Sequence, residues 1–336
     1  MVNQEAIDAV ITWVDGHDEQ HRQKVEHFLN LTGLSRNDEA ALPTRFNQQG
    51  EIDYCLRSLL FFAPWLRTIH IVTDSQTPSI YKQVSGTCLA KKIKIIDHQE
   101  IFPDDEKYLP TFNSLSIESV LWRIPNLTNS FIYLNDDCSL IRPINKSDFF
   151  RENRVVLRGE WKIQTERKWR SRIKNCLPIL SCAEKLNEHR RLQENSAKMA
   201  GFNKRFFHLP HIPFALKRDV FEQFFLKHPH LLTSNISYKF RNAKQFWPIS
   251  LLMHLELQNK PIILDKTLKA ITVNGACHSL DKIKKRLSQA DKKKDVAFIC
   301  MQSIDVANQE AQKWMFNWLE QRIPSLEFLA DHYKSL

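Results

Sequence analysis

The sequence predicts an α/β protein: a mostly parallel nucleotide-binding sheet flanked by helices, with a helical cap or acceptor-binding portion. Three observations predict it. Short β-branched runs alternate with stretches of helical period through the first half of the chain. Each run stops at polar residues, and in open α/β sheets ligands bind beyond such strand ends. Past residue 150 the runs give way to charged segments of helical character. At 336 residues, 43% hydrophobic and 26% charged, the chain is long enough to bury a full core in one large domain or two.

The elements follow in order. Ile7 to Val14 (IDAVITWV) reads as a strand that stops at Asp15-Gly16. Asp18 to Leu31 reads as a helix with Gly33 as its stop, and Glu51 to Phe62 as a second, with Ile52, Cys55, Leu56, Leu59 and Leu60 at helical spacing before Pro64. Thr68 to Thr73 is a strand ending at Asp74-Ser75, and Lys92 to Ile96 is a strand ending at Asp97-His98. Ser114 to Trp122 reads as a helix and Phe131 to Leu134 as a fourth strand. Basic helical stretches are expected from Ile163 to Met199, broken at Leu177-Pro178. Further helices are expected over Asp219 to Lys227, over Trp247 to Leu257 with Pro248 in its first turn, and over Gln309 to Arg322 before Pro324. Lys282 to Asp295 reads as a surface helix or loop, and Phe298 to Met301 as a late strand.

The run Ser130-Phe131-Ile132-Tyr133-Leu134-Asn135 ends abruptly at Asp136-Asp137. Two carboxylates on a rigid strand end are hard oxygen ligands suited to Mg²⁺ or Mn²⁺ carrying a phosphate group. An Asx turn closing the strand is the plainer alternative. Trp13-Val14-Asp15-Gly16 closes the first strand in the same way: Gly16 permits close backbone approach, and Asp15 can accept hydrogen bonds from ribose or uracil. Asp74 belongs to the same crevice, and Asn113-Ser114 precedes a helix that either is capped there or touches phosphate. Neither GxGxxG nor GxxxxGK[ST] occurs, so neither a dinucleotide fold nor an ATPase is indicated.

The formal charge is +10, and its distribution is uneven. Arg151 to Arg205 holds 15 Lys or Arg against 6 Asp or Glu, an excess of nine in one sixth of the chain. A solvated helical face explains the charge but not its one-sidedness; an anionic partner explains both. Nucleic acid is not expected, since no aromatic or zinc-finger signature accompanies the basic stretch. Seven cysteines form no CxxC pair, which suits a reducing, cytoplasmic setting and argues against structural zinc. Met1 to Ile7 is too short and acidic for a signal peptide, and no apolar run approaches the roughly 20 residues that span a bilayer.

Four blocks of the chain resemble the Stealth family of capsular polysaccharide phosphotransferases, which includes the catalytic part of UDP-GlcNAc:lysosomal-enzyme GlcNAc-1-phosphotransferase. They are Ile7 to Gly16; Arg45-Phe46 through Glu51, Arg57-Ser58, Ala63-Pro64-Trp65, Leu109 to Ser114 and Tyr133 to Asp137; His211-Ile212-Pro213 through Arg218 and Phe240-Arg241; and Phe298 to Phe328. The resemblance implies transfer of a sugar 1-phosphate, such as an N-acetylhexosamine 1-phosphate, from a UDP-sugar to a hydroxyl of a capsular glycan. It also implies a divalent metal and a nucleotide site in the α/β core. Where many members carry Cys-Leu-Asn-Asp, this chain reads Cys300-Met301-Gln302-Ser303, leaving Asp305 as the substitute acid.

On this basis Asp136, Asp137 and Asp305 are the candidate metal ligands. His211 and Arg241 map onto catalytic residues of the family. Imidazole suits a base for the acceptor hydroxyl, and a guanidinium can donate two parallel hydrogen bonds to phosphate. Arg45, Arg57 and Arg218 are further phosphate candidates, with Glu51 and Glu118 holding such arginines in place. Residues 1–150 then form the nucleotide- and metal-binding core, 151–205 a basic acceptor or membrane-contact region, and 206–336 the remainder packing back on the core. The partners expected are the UDP-sugar, an anionic glycan acceptor, the inner-membrane surface and other capsule-synthesis enzymes. Two rivals stand beside this reading: a metal-dependent glycosyltransferase using the same donor, and an inactive glycan-binding or scaffold protein.

Overall fold

Strands here are numbered in chain order. β1 (Ile7–Thr12), β2 (Ile69–Thr73), β3 (Ile93–Asp97) and β4 (Ser130–Asn135) lie parallel in the order β4-β1-β2-β3. β1 and β2 are central and buried along nearly their whole length, so they read as continuous apolar runs rather than alternating ones. The register pairs Thr12 with Asn135 and with Val72, and Thr73 with Asp97. The carboxyl ends of all four strands therefore share one edge. The computed structural model describes residues 5–335, apart from 36, 37, 39, 40, 168–184 and 260–262.

The sheet is mixed, not purely parallel. β10 (Phe214–Lys217) closes its β4 edge antiparallel, a pairing that four residues following the His-Pro loop gave no sign of. A second sheet joins β5 (Cys138–Leu140) antiparallel to β13 (Val296–Gln302), which runs parallel to β12 (Lys269–Asn274). Only Asp136 and Asp137 separate β4 from β5. The acid pair is thus the turn by which the chain leaves one sheet for another. Smaller pairings join β6 (Phe150–Arg151) to β7 (Arg154–Leu157), β7 to β11 (Ile263–Leu264), and β8 (Glu160–Ile163) to β9 (Arg205–His208).

Helix Glu51–Phe62 shows how sequence places the core. Gly50 enters it at φ 99°, a left-handed conformation that glycine adopts without strain, and Ile52, Cys55, Leu56, Leu59 and Leu60 are buried. Asp18 caps helix Glu19–Thr32 by accepting from His21 N, and Gly33 ends it in the left-handed region. One hydrophobic core runs from Ile7 to Leu329, joining residues from both halves of the chain.

Two expectations change. Ser114 to Trp122 divides into helix Ser114–Glu118 and a 3₁₀ turn at Leu121–Arg123. Residues 160–163 and 205–208 form an antiparallel ribbon that flanks the stretch Ile163 to Met199 read as basic helix and takes Ile163 from it, because Trp161, Ile163, Phe206 and Phe207 favour a strand more strongly than their charged neighbours oppose it. Helix Lys185–Met199 is present, whereas the break at Leu177-Pro178 lies outside the described residues. Among the described residues no helix is long and apolar enough to cross a membrane.

Candidate active site

A cavity of about 240 Å³ opens at the shared carboxyl edge of the main sheet. Trp13, Arg45, Asp74, Ser114, Asp136, Asp137, Arg241 and Asp305 all line it, although they span 292 positions of sequence from Trp13 to Asp305. Strand ends supply Trp13, Asp74 and the acid pair. Helix Ser114–Glu118 supplies Ser114, and the 3₁₀ turn Ile304–Val306 supplies Asp305.

One side of this cavity is acidic. Burial pushes the Asp136 carboxyl well above the usual carboxylate range, and the charges of Asp137 and Glu51 push it further. Glu51 is raised for the same reasons, by burial first and then by Asp137 and Asp305, against the opposing hydrogen bond from Gln49 N at 2.5 Å. Asp305 accepts from Thr44 Oγ1 at 2.8 Å and Asn47 Nδ2 at 3.1 Å. Four carboxylates thus line a single cavity, while among the described residues the donor group whose atoms all lie within 4.8 Å of one another is Asp137, Cys138 and Cys300. Asp137 also meets two buried thiols, Cys138 Sγ at 3.5 Å and Cys300 Sγ at 3.4 Å, which could provide softer donors.

Arg241 stands over this acidic side. Its Nη2 donates to Ser114 Oγ at 2.7 Å. Asn113 does not line the cavity; it builds the mount. Its Oδ1 caps the helix through Leu115 N at 3.1 Å, while its Nδ2 reaches Tyr238 O, Phe240 O and Gln245 Oε1 at 3.1, 3.0 and 2.9 Å. The loop bearing Arg241 is thereby pinned to the helix bearing Ser114. Beneath both lies Glu118, whose carboxyl burial pushes up to about 7 against the opposing charge of Arg241. Glu118 Oε1 lies 3.1 Å from the Tyr133 hydroxyl, which is also 3.0 Å from Asn135 Oδ1 and 3.1 Å from Thr12 Oγ1.

His211 does not line the cavity, but it is close enough to Asp137 and Arg241 to feel both charges. Burial holds its imidazole below the ordinary range; Asp137 raises it and Arg241 lowers it. His189 stacks on it at 4.9 Å between ring centroids and packs in turn on Trp247.

Other expected site residues serve the scaffold. Gly16 does not line the cavity: its N donates to Phe46 O at 2.8 Å, and a Cβ there would sit 2.7 Å from the Phe46 carbonyl. Asp15 is closed off by Gln76, which pairs with both its backbone N and O, while its carboxylate accepts from His17 N. Arg57 spends its guanidinium on Glu320 and on the carbonyls of Ile323 and Pro324, so it anchors the C-terminal region rather than phosphate. Arg218 follows Lys217, which pairs with Ser130 at the start of β4, so it lies at the sheet edge opposite the cavity. In the basic region Arg158 is buried against Asp265, and Lys162, Arg190 and Lys198 pair with Glu160, Glu194 and Glu166. Lys168, Arg170, Arg172 and Lys174 lie outside the described residues.

Glu51 and Glu118, expected to support arginines, themselves line the cavity; His98 and Thr111 line it too, and Tyr133 meets Glu118, though none of these three was expected at the site. Glu51 looks like an ordinary acid in a first helical turn. His98 carried a signal, since it follows a strand end as Asp74 does.

Fold and site together define an α/β protein with an acid-lined cavity at the carboxyl ends of its strands. Residues 45–157 match the conserved region 2 of Stealth proteins. The chain is 43% identical over 153 residues to the capsular polysaccharide phosphotransferase LcbA of Neisseria meningitidis, covering 45% of this chain and 39% of that one. It is 34% identical over 250 residues to an exopolysaccharide phosphotransferase of Streptomyces coelicolor, covering 73% of this chain and 42% of that one. In this region the chain is similar to the Stealth proteins. It spans about two fifths of the length of these relatives. The solved galactosyltransferase LgtC overlaps 95% of this chain and 98% of its own at 9% identity and a TM-score of 0.46, too loose a likeness to assign function.

Proposed function

We propose that this protein transfers a sugar 1-phosphate, an N-acetylhexosamine 1-phosphate in the sharpest form, from a UDP-sugar to a hydroxyl of a capsular or exopolysaccharide acceptor. One observation carries the reading: a single cavity gathers Glu51, Asp136, Asp137 and Asp305 beside an arginine whose loop is pinned in place, with His211 in electrostatic reach of both. That is the equipment of phosphoryl transfer, in which catalysis is mostly positioning and charge stabilisation.

In the proposed step the acceptor hydroxyl gives its proton to His211. Its oxygen bonds to the phosphorus bearing the sugar, and the bond from that phosphorus to the bridging oxygen breaks, releasing UMP. Arg241 balances charge growing on the phosphate oxygens, and Ser114 holds its guanidinium. Asp136 and Asp137, with Glu51 and Asp305, would hold Mg²⁺ or Mn²⁺, which when bound neutralises pyrophosphate charge. His211, kept mainly neutral by burial, is ready to take a proton at neutral pH. The segment 151–205 and the helices after it would take the acceptor on the cytoplasmic face of the membrane.

The test follows the β-phosphorus. A UDP-sugar labelled there is incubated with the protein, Mg²⁺ and short glycan acceptors. Label in a phosphodiester of the product, with UMP released, supports the reading. Label leaving as UDP refutes it.

A further inference from the structure

Another part of the cavity lining has different chemistry. Its walls are rings: His21 meets Phe112 edge-on at 5.5 Å and Phe46 at 5.8 Å, and Trp13 lines the same cavity. Its one carboxylate, Asp74, is paired with Lys24 at 2.9 Å. Among the described residues, three buried polar atoms there have no hydrogen-bond partner: Trp13 Nε1, His98 Nδ1 and Thr111 Oγ1. Their residues are 7%, 4% and 2% exposed. A polar atom buried without a partner costs free energy, so three residues of one cavity lining that each carry such an atom mark what a ligand supplies.

Their chemistry narrows the ligand. Indole N–H only donates, a threonine hydroxyl donates or accepts, and a neutral imidazole nitrogen accepts in one tautomer. Burial lowers His98 to about 4, so its ring is neutral at working pH. A flat, neutral ring with two carbonyls flanking an N–H satisfies all three atoms, and uracil is such a ring.

We propose that Trp13, His98 and Thr111 form a uracil-reading slot: Trp13 Nε1 and Thr111 Oγ1 each donate to a ring carbonyl, and His98 Nδ1 accepts from the N–H between them. The slot rests on the nucleotide-sugar reading given above. It would set nucleotide specificity, because cytosine replaces one carbonyl with an amino group and removes the N–H, leaving slot atoms unpaired.

Calorimetric titration of UDP and CDP, each with Mg²⁺, into the wild-type chain tests it without any substitution. UDP binding at least about tenfold tighter than CDP is expected, since a site built to pair polar atoms rejects the analogue that leaves them unpaired. Equal affinities overturn the slot. Trp13→Phe, Thr111→Val and His98→Gln, each checked for folding by circular dichroism, should weaken UDP more than CDP. Folded variants that keep the full preference overturn the assignment of those residues. The labelled-donor assay run alongside separates the two readings. Equal nucleotide affinities with intact phosphodiester formation reject the slot alone. A UDP preference with label leaving as UDP rejects the transfer reading alone.

Discussion

The two sides of the cavity are unstable in opposite ways. On the acidic side Glu51 and Asp136 are pushed upward because carboxylates crowd one another, and a cation would relieve that. On the ring-walled side charge is already balanced by the Asp74–Lys24 pair, and the strain lies in buried atoms without partners. The difference teaches that one cavity can be divided by what each part lacks: positive charge in one, hydrogen-bond partners in the other. A nucleotide sugar with a divalent cation provides both.

The largest expected effect concerns the proton. His211→Ala should slow the chemical step by about 10²–10⁴-fold while UDP still binds, because a base acts on the acceptor and not on the donor. Single-turnover rates beside UDP titration check this; loss of UDP binding instead would move His211 among the nucleotide contacts. The pH dependence carries a sign. A lowered histidine keeps its basic form below the ordinary imidazole range, so the acid limb assigned to His211 should fall below pH 6.5 and vanish in His211→Ala.

Asp136→Asn and Asp137→Asn should each cut turnover by roughly 10²–10³-fold, since an amide replaces a carboxylate facing the cation. Initial rates with circular dichroism decide it. A folded variant at the wild-type rate removes its carboxylate from the essential set.

Glu118→Gln sharpens the comparison through stability. The carboxyl titrates at about 7 in the folded chain against 4.5 for its ordinary value, so the folded state loses stability as pH rises between the two, and the loss is complete above 7. At pH 8 the amide should raise unfolding free energy on the order of 2–3 kcal/mol while turnover falls. Urea unfolding at pH 5 and pH 8 reads the difference; an equal effect at both pH values contradicts it.

The smallest effect belongs to the basic region. Neutralising Lys168, Arg170, Arg172 and Lys174 should raise KM for long anionic acceptors a few-fold and leave that for the UDP-sugar nearly unchanged. Added salt should weaken acceptor binding, since exposed charges are screened over roughly 8 Å at physiological ionic strength. Acceptor titrations at two salt concentrations test this, and a KM insensitive to salt and length argues against polymer binding there.

Much of the main sheet was legible because its strands are apolar on both faces and stop sharply at polar residues. That same sharpness exposed Asp136, Asp137, Asp74 and Trp13. Arginines were not legible, since a guanidinium looks the same in sequence whether it serves phosphate, as proposed for Arg241, or binds a C-terminal helix, as Arg57 does. Arg218 shows that only topology tells which edge of a sheet a residue occupies. The β8–β9 ribbon escaped notice because its strands lie 41 residues apart, from Ile163 at the end of one to Arg205 at the start of the next, and the pattern between them is dominated by charge. Thr111 stood out only as part of the block Leu109 to Ser114, because nothing local distinguishes a threonine whose hydroxyl lacks a partner.

The division of the cavity is tested most directly by titrating Mn²⁺ into the wild-type chain, Asp136→Asn and Trp13→Phe, with and without UDP. Wild type should bind Mn²⁺, more tightly when UDP is present. Asp136→Asn should lose the metal in both conditions. Trp13→Phe should keep Mn²⁺ binding without nucleotide and lose most of the gain that UDP brings. Mn²⁺ binding unchanged by Asp136→Asn, or abolished by a folded Trp13→Phe without nucleotide, would contradict the division.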